Sequence, residues 1–386
     1  MRSLAELEVL VSLPEVTSLT VLTLREAEIP KEDIVGLSDR LKTARILESV
    51  FHPIHLKEFP HYFAWVALLR VARRLPYLAG KWVSPRVYRV IRRILSQSQF
   101  DAVYIDHLGM AVYLDLVRRL QPGARVVLEQ HNVESDFFGQ FADRQTNPAK
   151  LAVAKSEHRA ARRYEIATMK RVDAVVAIST SDAEKFMEMA GVTAHVVPQV
   201  MPLRRTPWST GRKKRLVYIG NLTWHPNVEG LDWFVQEVWP LVQKRSPDAV
   251  LDIGGSGLKP GTVPLKWRAP GVNVIGFVKD LDVFYEGAVG FLAPILGGSG
   301  VRIKVLEAFR AGLPLVTTDA GALGLPIVHG KQALIANDAA AFAENVARLA
   351  ADEDLQNTLR EGGYDYIDAH HSQRAAGAVM RRALGL

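Results

Sequence analysis

Short apolar runs alternate with longer amphipathic segments along most of this chain. Between the runs, apolar residues recur three or four positions apart, as they do in helices that bury one face. The runs have the uninterrupted hydrophobic character of buried strands, and they include residues 100–106, 124–128, 215–219 and 289–295. Strands that alternate with helices predict an α/β fold built on parallel sheets.

A break in this pattern divides the chain into two predicted domains. Residues 203–214 are polar, basic and interrupted by proline and glycine, which indicates a linker. The total length of 386 residues suits two domains of ordinary size. We therefore predict a first domain over residues 1–202 and a second over residues 215–371.

The segment 297–325 has the most specific pattern in the second domain. A run of glycine and serine, residues 297–300, follows a buried strand, and a helical pattern then covers residues 301–310. A glycine and a proline end this helix before the next strand begins at Leu315. The segment is therefore a strand, a glycine-rich turn, a helix and a second strand.

The start of this helix has the features of a phosphate site. Backbone N–H groups and the positive end of the helix dipole receive anions there, and glycines let a ligand come close. Two cations lie in the first turn, where they oppose the dipole and cost stability unless an anion binds. A carboxylate one turn further could hold a ribose diol. The alternative is an ordinary α/β turn with solvated basic side chains. The predicted diphosphate site comprises Gly298, Ser299, Gly300, Arg302, Lys304 and Glu307.

The run GGSGVRIKVLEAFRAGLPLVTTDAGALGL resembles the donor-binding signature of GT-B fold glycosyltransferases, most closely the retaining family 4, also called group 1. The resemblance implies two Rossmann-like, doubly wound domains that face a cleft, with the tail, residues 372–386, completing the first. It implies transfer of a sugar from a UDP- or GDP-sugar to an acceptor hydroxyl with retention, in polysaccharide or glycolipid synthesis. Such enzymes usually need neither a cofactor nor a bound metal.

Three features depart from the family pattern: the start of the chain and two single residues. GT-B chains begin with a strand and a glycine-rich loop ahead of the first helix, and no such opening is found here, so we expect both to be missing. The arginine that many members place after Gly220 is Asn221, and the glutamate expected eight residues before Glu307 is Ser299. Arg302 and Lys304 are therefore expected to hold the diphosphate. The departures keep open a non-catalytic GT-B scaffold or nucleotide-binding subunit, and an epimerase or phosphorylase of the same fold.

Four further donor-site candidates follow predicted strands of the second domain. Their backbone groups lie where a nucleotide could be contacted, and for the last two the contact would be with the base. These candidates are Gly220, Asn221, Phe277 and Val278. The glycine-rich turn in residues 249–257 lacks a dinucleotide fingerprint, which disfavours a dehydrogenase.

One pair of acids has the spacing of a metal-binding DxD motif. The pair is Asp280 and Asp282, and it opens a predicted helix, where acidic residues also serve as caps. We favour the capping role and predict no metal site.

A polar run in the first domain supplies the candidate for proton transfer. Residues 129–134 (EQHNVE) follow the strand 124–128, at the carboxyl end where α/β sheets place ligands. His131 could accept a proton or bond to a substrate hydroxyl, or it could be a structural histidine at a strand end. In the resembling family a histidine after this strand points toward the donor sugar, which favours His131 as catalytic. His107 is a weaker candidate of the same kind.

Residues 59–95 combine arginines with aromatic side chains. One interpretation is a membrane-surface patch that helps the protein reach a lipid-linked acceptor. The other, which we favour, is two amphipathic helices with basic outer faces. No RNA-recognition motif accompanies the arginines, so nucleic acid is not an expected partner.

Composition limits the location of the protein. The net charge of +7 favours anionic partners such as nucleotide-sugars, and the absence of cysteine excludes disulfides and thiolate metal sites. No apolar run reaches membrane-spanning length, and the N-terminus lacks the layout of a signal peptide. We expect a cytoplasmic protein that can contact the inner face of the membrane.

Overall fold

The chain folds into two compact units. The computed structural model describes residues 2–25, 44–51, 60–143, 145–205, 214–259, 261–297 and 302–386. Unit 1 comprises Met1–Val200 and Ala376–Leu386, and unit 2 comprises Met201–Ala375. Most of the predicted linker, residues 206–213, lies outside the described residues.

Unit 1 contains two parallel sheets. The first pairs β1 (Leu19–Arg25) with β2 (Ala44–Phe51). The second has the order β3-β4-β5-β6, and its strands are Ala102–Asp106, Arg125–Gln130, Ala174–Ala177 and Ala194–Val196. All pairs in the second sheet are parallel, so the carboxyl ends of its strands lie at one edge.

Helices connect these strands and cover the four-stranded sheet. In chain order they are α1 (Arg2–Ser12), α2 (Pro60–Ala72), α3 (Tyr77–Gly80), α4 (Pro85–Gln97), a 3-10 helix (Leu108–Tyr113), α5 (Leu114–Leu120), α6 (Glu134–Asp143), α7 (Pro148–Met169) and α8 (Thr180–Ala190). Ser179 caps α8 by accepting the N–H of Asp182 at 3.1 Å, as its position predicts.

Each face of the four-stranded sheet has its own core. On one face, Val9 of α1 and Leu13, which follows that helix, pack with Val127 of β4 and with Met380 of the C-terminal helix (Gln373–Leu384). On the other face, Val126 and Leu128 pack with side chains from the 3-10 helix, α5, α7 and α8. Alternate residues of β4 thus point to opposite faces, which explains its nearly continuous apolar character.

Unit 2 is built on one six-stranded parallel sheet. The strand order is β12-β11-β10-β7-β8-β9, which is the doubly wound Rossmann arrangement. The strands are β7 (Arg215–Ile219), β8 (Val250–Gly254), β9 (Val272–Gly276), β10 (Gly290–Ala293), β11 (Leu315–Thr317) and β12 (Ala333–Ile335).

The helices of unit 2 cover both faces of this sheet. They are α9 (His225–Trp233), a π-helical turn (Phe234–Val238), α10 (Trp239–Arg245), a 3-10 turn (Leu265–Trp267), α11 (Leu281–Tyr285), α12 (Ile303–Arg310), α13 (Asp319–Ala322), α14 (Ala339–Ala351) and α15 (Glu353–His370). One core surrounds Phe234, Trp239 and Phe342, and the other surrounds Phe291, Val305 and Phe309.

Two predicted elements were wrong in their detail. The pattern of residues 228–244 predicts one helix, but the structure has α9, the π-helical turn and α10 over residues 225–245, because Pro240 lacks the N–H that a continuous helix would use. Strand β4 was predicted to end at Leu128 but continues through Gln130, because β5 pairs with it as far as Gln130. Glu129 is consequently part of the sheet.

The arginine-rich segment forms helices, of which the structure describes residues 60–95. Val66 and Leu69 of α2 and Val87 and Ile94 of α4 face inward, as amphipathic helices require. No helix within the described ranges has the length and apolar character needed to cross a membrane.

Two glycines of unit 2 offer a matched test of packing after α12. Gly312 and Gly287 both have positive φ, +67° and +70°. A Cβ at Gly312 would lie 2.0 Å from the hydroxyl oxygen of Tyr364, whereas a Cβ at Gly287 would meet nothing within 4 Å. We expect Gly287→Ala to lower the free energy of unfolding by about 1 kcal/mol through backbone strain alone. We expect Gly312→Ala to lower it by about 3 kcal/mol, because the clash adds to the strain. Urea denaturation measures both, and equal losses would contradict this packing.

Candidate functional site

The sheet of unit 2 has one topological switch point. Strands β7 and β10 are neighbours, but α9 follows β7 on one face and α12 follows the β10 loop on the other, as the cores around Leu231 and Val305 show. Doubly wound sheets bind ligands in the crevice outside the carboxyl ends of such strands. The loops that follow Ile219 and Ala293 therefore define the candidate site.

Lys304 in the first turn of α12 extends toward the end of β7. Its Nζ donates to the hydroxyl oxygen of Tyr218 at 2.8 Å and to Oδ1 of Asn227 at 2.5 Å. The ammonium also lies 4.7 Å from the centroid of the Tyr218 ring. The hydroxyl and ring of Tyr218 in β7 and the side-chain amide of Asn227 in the first turn of α9 thus hold this cation at the switch point.

The position of Lys304 requires a glycine beside it. A Cβ at Gly220 would lie 2.9 Å from Lys304 Cε and 2.9 Å from the Tyr218 hydroxyl, so a larger residue would displace the lysine. Gly220 and Lys304, predicted from separate loops, are therefore brought together.

Burial makes the charged form of Lys304 energetically unfavourable. Desolvation lowers the pKa of Lys304 from 10.5 to about 8. A lowering of this size corresponds to about 3 kcal/mol against the charged form. A bound anion would relieve that cost, which is the behaviour expected of a phosphate-binding cation rather than of a solvated surface lysine.

Arg302 immediately precedes α12 and is 8% exposed. Burial lowers the pKa of its guanidinium from the ordinary value. The glycine-rich residues before it, Gly298, Ser299 and Gly300, lie outside the described residues, as does Val301. Within the described chain, α12 begins at Ile303.

Asn221 shapes the loop rather than replacing the arginine of the family pattern. Its Oδ1 accepts the N–H of Thr223 at 3.0 Å and the hydroxyl of Thr223 at 2.8 Å. Its backbone oxygen accepts Nδ2 of Asn227 at 2.8 Å, which orients the amide that contacts Lys304. The roles of Asn227 and Tyr218 were missed, because a strand tyrosine and a helix-start asparagine carry no distinctive pattern.

Glu307 lies one turn further along α12 and is already bound by an arginine. Nε and Nη2 of Arg310 donate to its two oxygens, each at 2.6 Å, and the Tyr285 hydroxyl lies 3.5 Å from Oε1. Both oxygens keep lone pairs that a ribose diol could use. The pairing with Arg310 fixes the rotamer of Glu307. The sequence could have indicated this pair, because the two residues are three positions apart on one helix.

The two residues predicted to contact the base differ in environment. The side chain of Phe277 is 76% exposed, whereas Val278 is half-buried and packs in the core of unit 2. Val278 also borders the second glycine turn, since a Cβ at Gly254 would lie 2.7 Å from its Cγ2. An exposed aromatic ring at a strand end is available for stacking.

The DxD motif caps a helix, as predicted. Oδ1 of Asp280 accepts the N–H groups of Asp282 and Val283 at 2.9 and 3.4 Å, and Asp282 pairs with Arg204. The pair therefore has structural partners that account for it.

In unit 1, His131 lies beside an acidic group at the carboxyl ends of β3 and β4. Its Nε2 is 2.8 Å from Oδ1 of Asp106 and 3.8 Å from Oε1 of Glu129. Ligand atoms of Glu6, Asp106, Glu129 and His131 all lie within 4.8 Å of one another. Carboxylates and imidazole are donors that divalent cations accept, so by composition this group could hold a metal.

His107 forms a second histidine–carboxylate pair in the same place. Its Nε2 lies 3.3 Å from Oε1 of Glu134, and its ring centroid lies 5.8 Å from that of His131 in an edge-to-face arrangement. His107 has a φ of +85°, which is unusual for a residue other than glycine. Such strained positions cluster at functional sites.

Family models match both units. The model described as Glycosyltransferase Family 4 matches residues 33–205, and the model described as Glycosyl transferases group 1 matches residues 213–352. Together the two matches span most of the chain.

Individual relatives are distant. The chain is 26% identical over 209 residues to an uncharacterised 44.6 kDa protein in the cps region of Klebsiella pneumoniae, which covers 52% of this chain and 53% of that protein. The match thus spans about half the length of the curated relative.

Solved structures show the same fold. Anabaena Alr3699/HepE in complex with UDP and glucose has a TM-score of 0.62 at 11% identity and covers 99% of this chain and 96% of its own. Staphylococcus aureus TarM, with fondaparinux, alpha-GlcNAc-glycerol and UDP, has a TM-score of 0.55 at 13% identity and covers 78% of this chain and 59% of its own. With its two parallel-sheet α/β units and the two family matches, the chain belongs to the GT-B glycosyltransferases of family 4, group 1.

Proposed function

We propose that this chain transfers a sugar from a nucleotide-diphospho-sugar to an acceptor hydroxyl. The observation that carries the proposal is the desolvated ammonium of Lys304, which Tyr218 and Asn227 hold at the switch point of the six-stranded sheet of unit 2. A protein gains nothing in stability from such a cation unless an anion binds to it. A diphosphate is the anion that this position in a doubly wound sheet suits.

The cations would act on the leaving group. When the bond between the sugar and the diphosphate breaks, negative charge builds on the diphosphate oxygens. Lys304 and Arg302 are both shielded from water, so their attraction for that developing charge is stronger than it would be in bulk solvent. The predicted N–H donors of Ser299 and Gly300 would add to it. These contacts tighten as charge develops, which is what lowers the barrier.

The remainder of the donor would be held by two further contacts. Glu307, fixed by Arg310, would accept the hydroxyls of the ribose. Phe277 would provide a ring for the base to stack on, and the backbone of Val278 would contact it. The HepE and TarM structures both contain UDP, which supports a UDP-sugar as donor, with a GDP-sugar as the second choice.

The outcome and the pathway are part of the same proposal. Family membership supports retention at the anomeric carbon, with the leaving diphosphate taking the acceptor proton and no metal required. The relative encoded in a cps region supports a role in polysaccharide synthesis. NMR of the product would give the configuration of the new glycosidic bond.

We propose that unit 1 also contacts an anionic membrane surface on the cytoplasmic side. Helix α2 exposes Trp65, Leu68 and Val71 to solvent. The indole N–H of Trp65 donates to the backbone oxygen of Val83 at 3.3 Å, which places this apolar face next to the segment that leads into α4. Helix α4 exposes four arginines, namely Arg86, Arg89, Arg92 and Arg93. Apolar side chains beside clustered arginines suit an interface with anionic lipid, where a lipid-linked acceptor would be found.

Titration calorimetry with UDP tests the donor site. We expect UDP to bind and Lys304→Ala and Arg302→Ala each to weaken its Kd by about 10- to 100-fold, because each removes a charge-assisted contact with phosphate. Lys244→Ala, an exposed lysine of α10, is the matched control and should leave the Kd unchanged. Addition of EDTA should not alter binding or transfer.

Two results would reject the donor-site assignment. One is that neither UDP nor GDP binds the wild-type chain. The other is that binding survives both substitutions unchanged. UDP binding without sugar transfer to any acceptor and without donor hydrolysis would instead favour the non-catalytic nucleotide-binding subunit.

The pKa of Lys304 predicts a pH dependence of UDP binding. The ammonium form binds phosphate, and with a pKa of about 8 it predominates at pH 7 and is about one-tenth populated at pH 9. The apparent Kd should therefore weaken by about tenfold from pH 7 to pH 9. Lys304→Met should bind more weakly at pH 7 and show a flat profile over this range. A wild-type profile as flat as that of the variant would contradict the role of Lys304.

Vesicle co-sedimentation tests the membrane contact. The wild-type chain should bind vesicles that contain phosphatidylglycerol and not vesicles of phosphatidylcholine alone. Arg92→Glu with Arg93→Glu should weaken that binding by at least about tenfold, since each basic residue contributes about 1 kcal/mol near an anionic surface. The control is Arg162→Glu with Arg163→Glu, an equal charge change on exposed arginines of α7. Equal losses in the two double variants would show a non-specific charge effect and refute the proposed face.

A further inference from the structure

We infer that Asp106 is a positioning residue that acts through His131, fixing the tautomer in which Nδ1 of His131 accepts a hydrogen bond from a substrate hydroxyl. The inference rests on the proposed transferase function for its consequence in catalysis. Its structural part concerns only unit 1 and can be tested without any substrate.

The backbone fixes the two residues relative to each other. Asp106 is the last residue of β3 and is paired in register with Glu129 of β4, and His131 follows two residues later. This register places Nε2 of His131 2.8 Å from Oδ1 of Asp106. Because adjacent parallel strands set the distance, the contact does not depend on a flexible loop.

A second carboxylate supports the same nitrogen from within the sheet. Glu129 is fully buried, its Oε1 is 3.8 Å from Nε2 of His131, and its Oε2 accepts the hydroxyl of Tyr104 at 2.7 Å. Glu6 of α1 is also buried, with its ligand atom within 4.8 Å of those of Asp106, Glu129 and His131. Nε2 thus faces several acidic oxygens, which favour a proton on that nitrogen. In the neutral ring the lone pair is then on Nδ1.

The neighbouring histidine pair holds the ring of His131 from the side. His107 packs edge-to-face against it at 5.8 Å between centroids, and its own ring is fixed because Nδ1 accepts the N–H of Gly109 at 3.0 Å. Its Nε2 contacts Glu134, whose backbone N–H donates to the fully buried Glu165 at 2.9 Å. His131, which follows β4, thus pairs with Asp106 at the end of β3, and His107, which follows β3, pairs with Glu134 beyond β4. The strained φ of His107 allows this crossed arrangement.

This arrangement has a defined chemical consequence. Nδ1 of His131 would accept a hydrogen bond from a substrate hydroxyl, and no covalent bond to the protein forms. As positive charge grows on the sugar carbon, the hydroxyl becomes more acidic and its hydrogen bond to Nδ1 strengthens. Asp106 and Glu129 stabilise the partial positive charge that the imidazole gains as this hydrogen bond shortens, as a carboxylate behind a histidine does in other enzymes, and the proton stays on the hydroxyl.

NMR of the ligand-free protein tests the structural part. Imidazole nitrogen-15 shifts at a single neutral pH report the tautomer of each histidine, and comparison with His131→Gln assigns the signal of His131. The wild type should show a proton on Nε2 and a lone pair on Nδ1. Asp106→Asn should shift the His131 signal toward a mixture of tautomers. The control Asp101→Asn, which removes an exposed carboxylate at the start of the same strand, should leave it unchanged. Identical His131 shifts in the wild type and Asp106→Asn overturn the inference.

Kinetics test whether Asp106 acts through His131. We expect Asp106→Asn to lower kcat by about 100-fold with little change in the KM for the donor, because the predicted donor contacts lie in unit 2. The double variant Asp106→Asn with His131→Ala should be no slower than His131→Ala alone. Multiplicative losses in the double variant, with an unperturbed melting temperature, would show that Asp106 acts independently and would refute the positioning role.

Failure of the proposed function gives a different pattern. If the chain transfers no sugar, the kinetic comparison disappears, but the tautomer of His131 and its dependence on Asp106 remain measurable. If the chain transfers sugar and Asp106→Asn retains the wild-type kcat, the function stands and the inference fails.

Discussion

The candidate site of unit 2 depends on one unfavourable interaction, the burial of the Lys304 ammonium. Tyr218 supplies a hydroxyl and a ring face, Asn227 supplies an amide oxygen, and Gly220 leaves the room that the lysine stem occupies. None of these groups carries a negative charge, so among the described residues they solvate the cation with dipoles and do not neutralise it. The fold therefore holds a positive charge in a place where an anion would stabilise it, and the surrounding sheet provides the rigidity to keep it there.

Unit 1 shows the opposite balance of charge at the carboxyl ends of its strands. Acidic side chains surround His131, and the closest of them, Asp106 and Glu129, belong to adjacent parallel strands. Two of the carboxylates beside His131, Glu6 and Glu129, are buried, and Asp106 is partly exposed. The two units thus place different chemistry at equivalent edges: cations suited to a diphosphate in one, and a histidine suited to a hydroxyl in the other.

The sequence predicted the fold class correctly, because the alternation of buried strands with amphipathic helices has few packing solutions. Strand 215–219 has the predicted ends. Errors in element bounds arose where a tertiary partner or a proline sets the end of the element. Strand β4 extends to Gln130 because β5 pairs with it there. The helical segment around Pro240 contains a π-helical turn because proline lacks the backbone N–H. The family resemblance is confirmed by the family matches, whereas the ligand contacts of individual residues stay predictions.

By itself, the sequence determined the fold class, and it contains the glycine-rich run before α12 and the residue types that a diphosphate needs, since these follow from local spacing and composition. Only the tertiary structure decided which groups meet. Tyr218 and Lys304 are separated by 86 positions along the chain yet share a hydrogen bond, and the Asp106–His131 pair requires β3 and β4 to be adjacent and in register. Contacts of this kind are set by strand order, because side chains at the ends of parallel strands become neighbours whatever their distance in sequence.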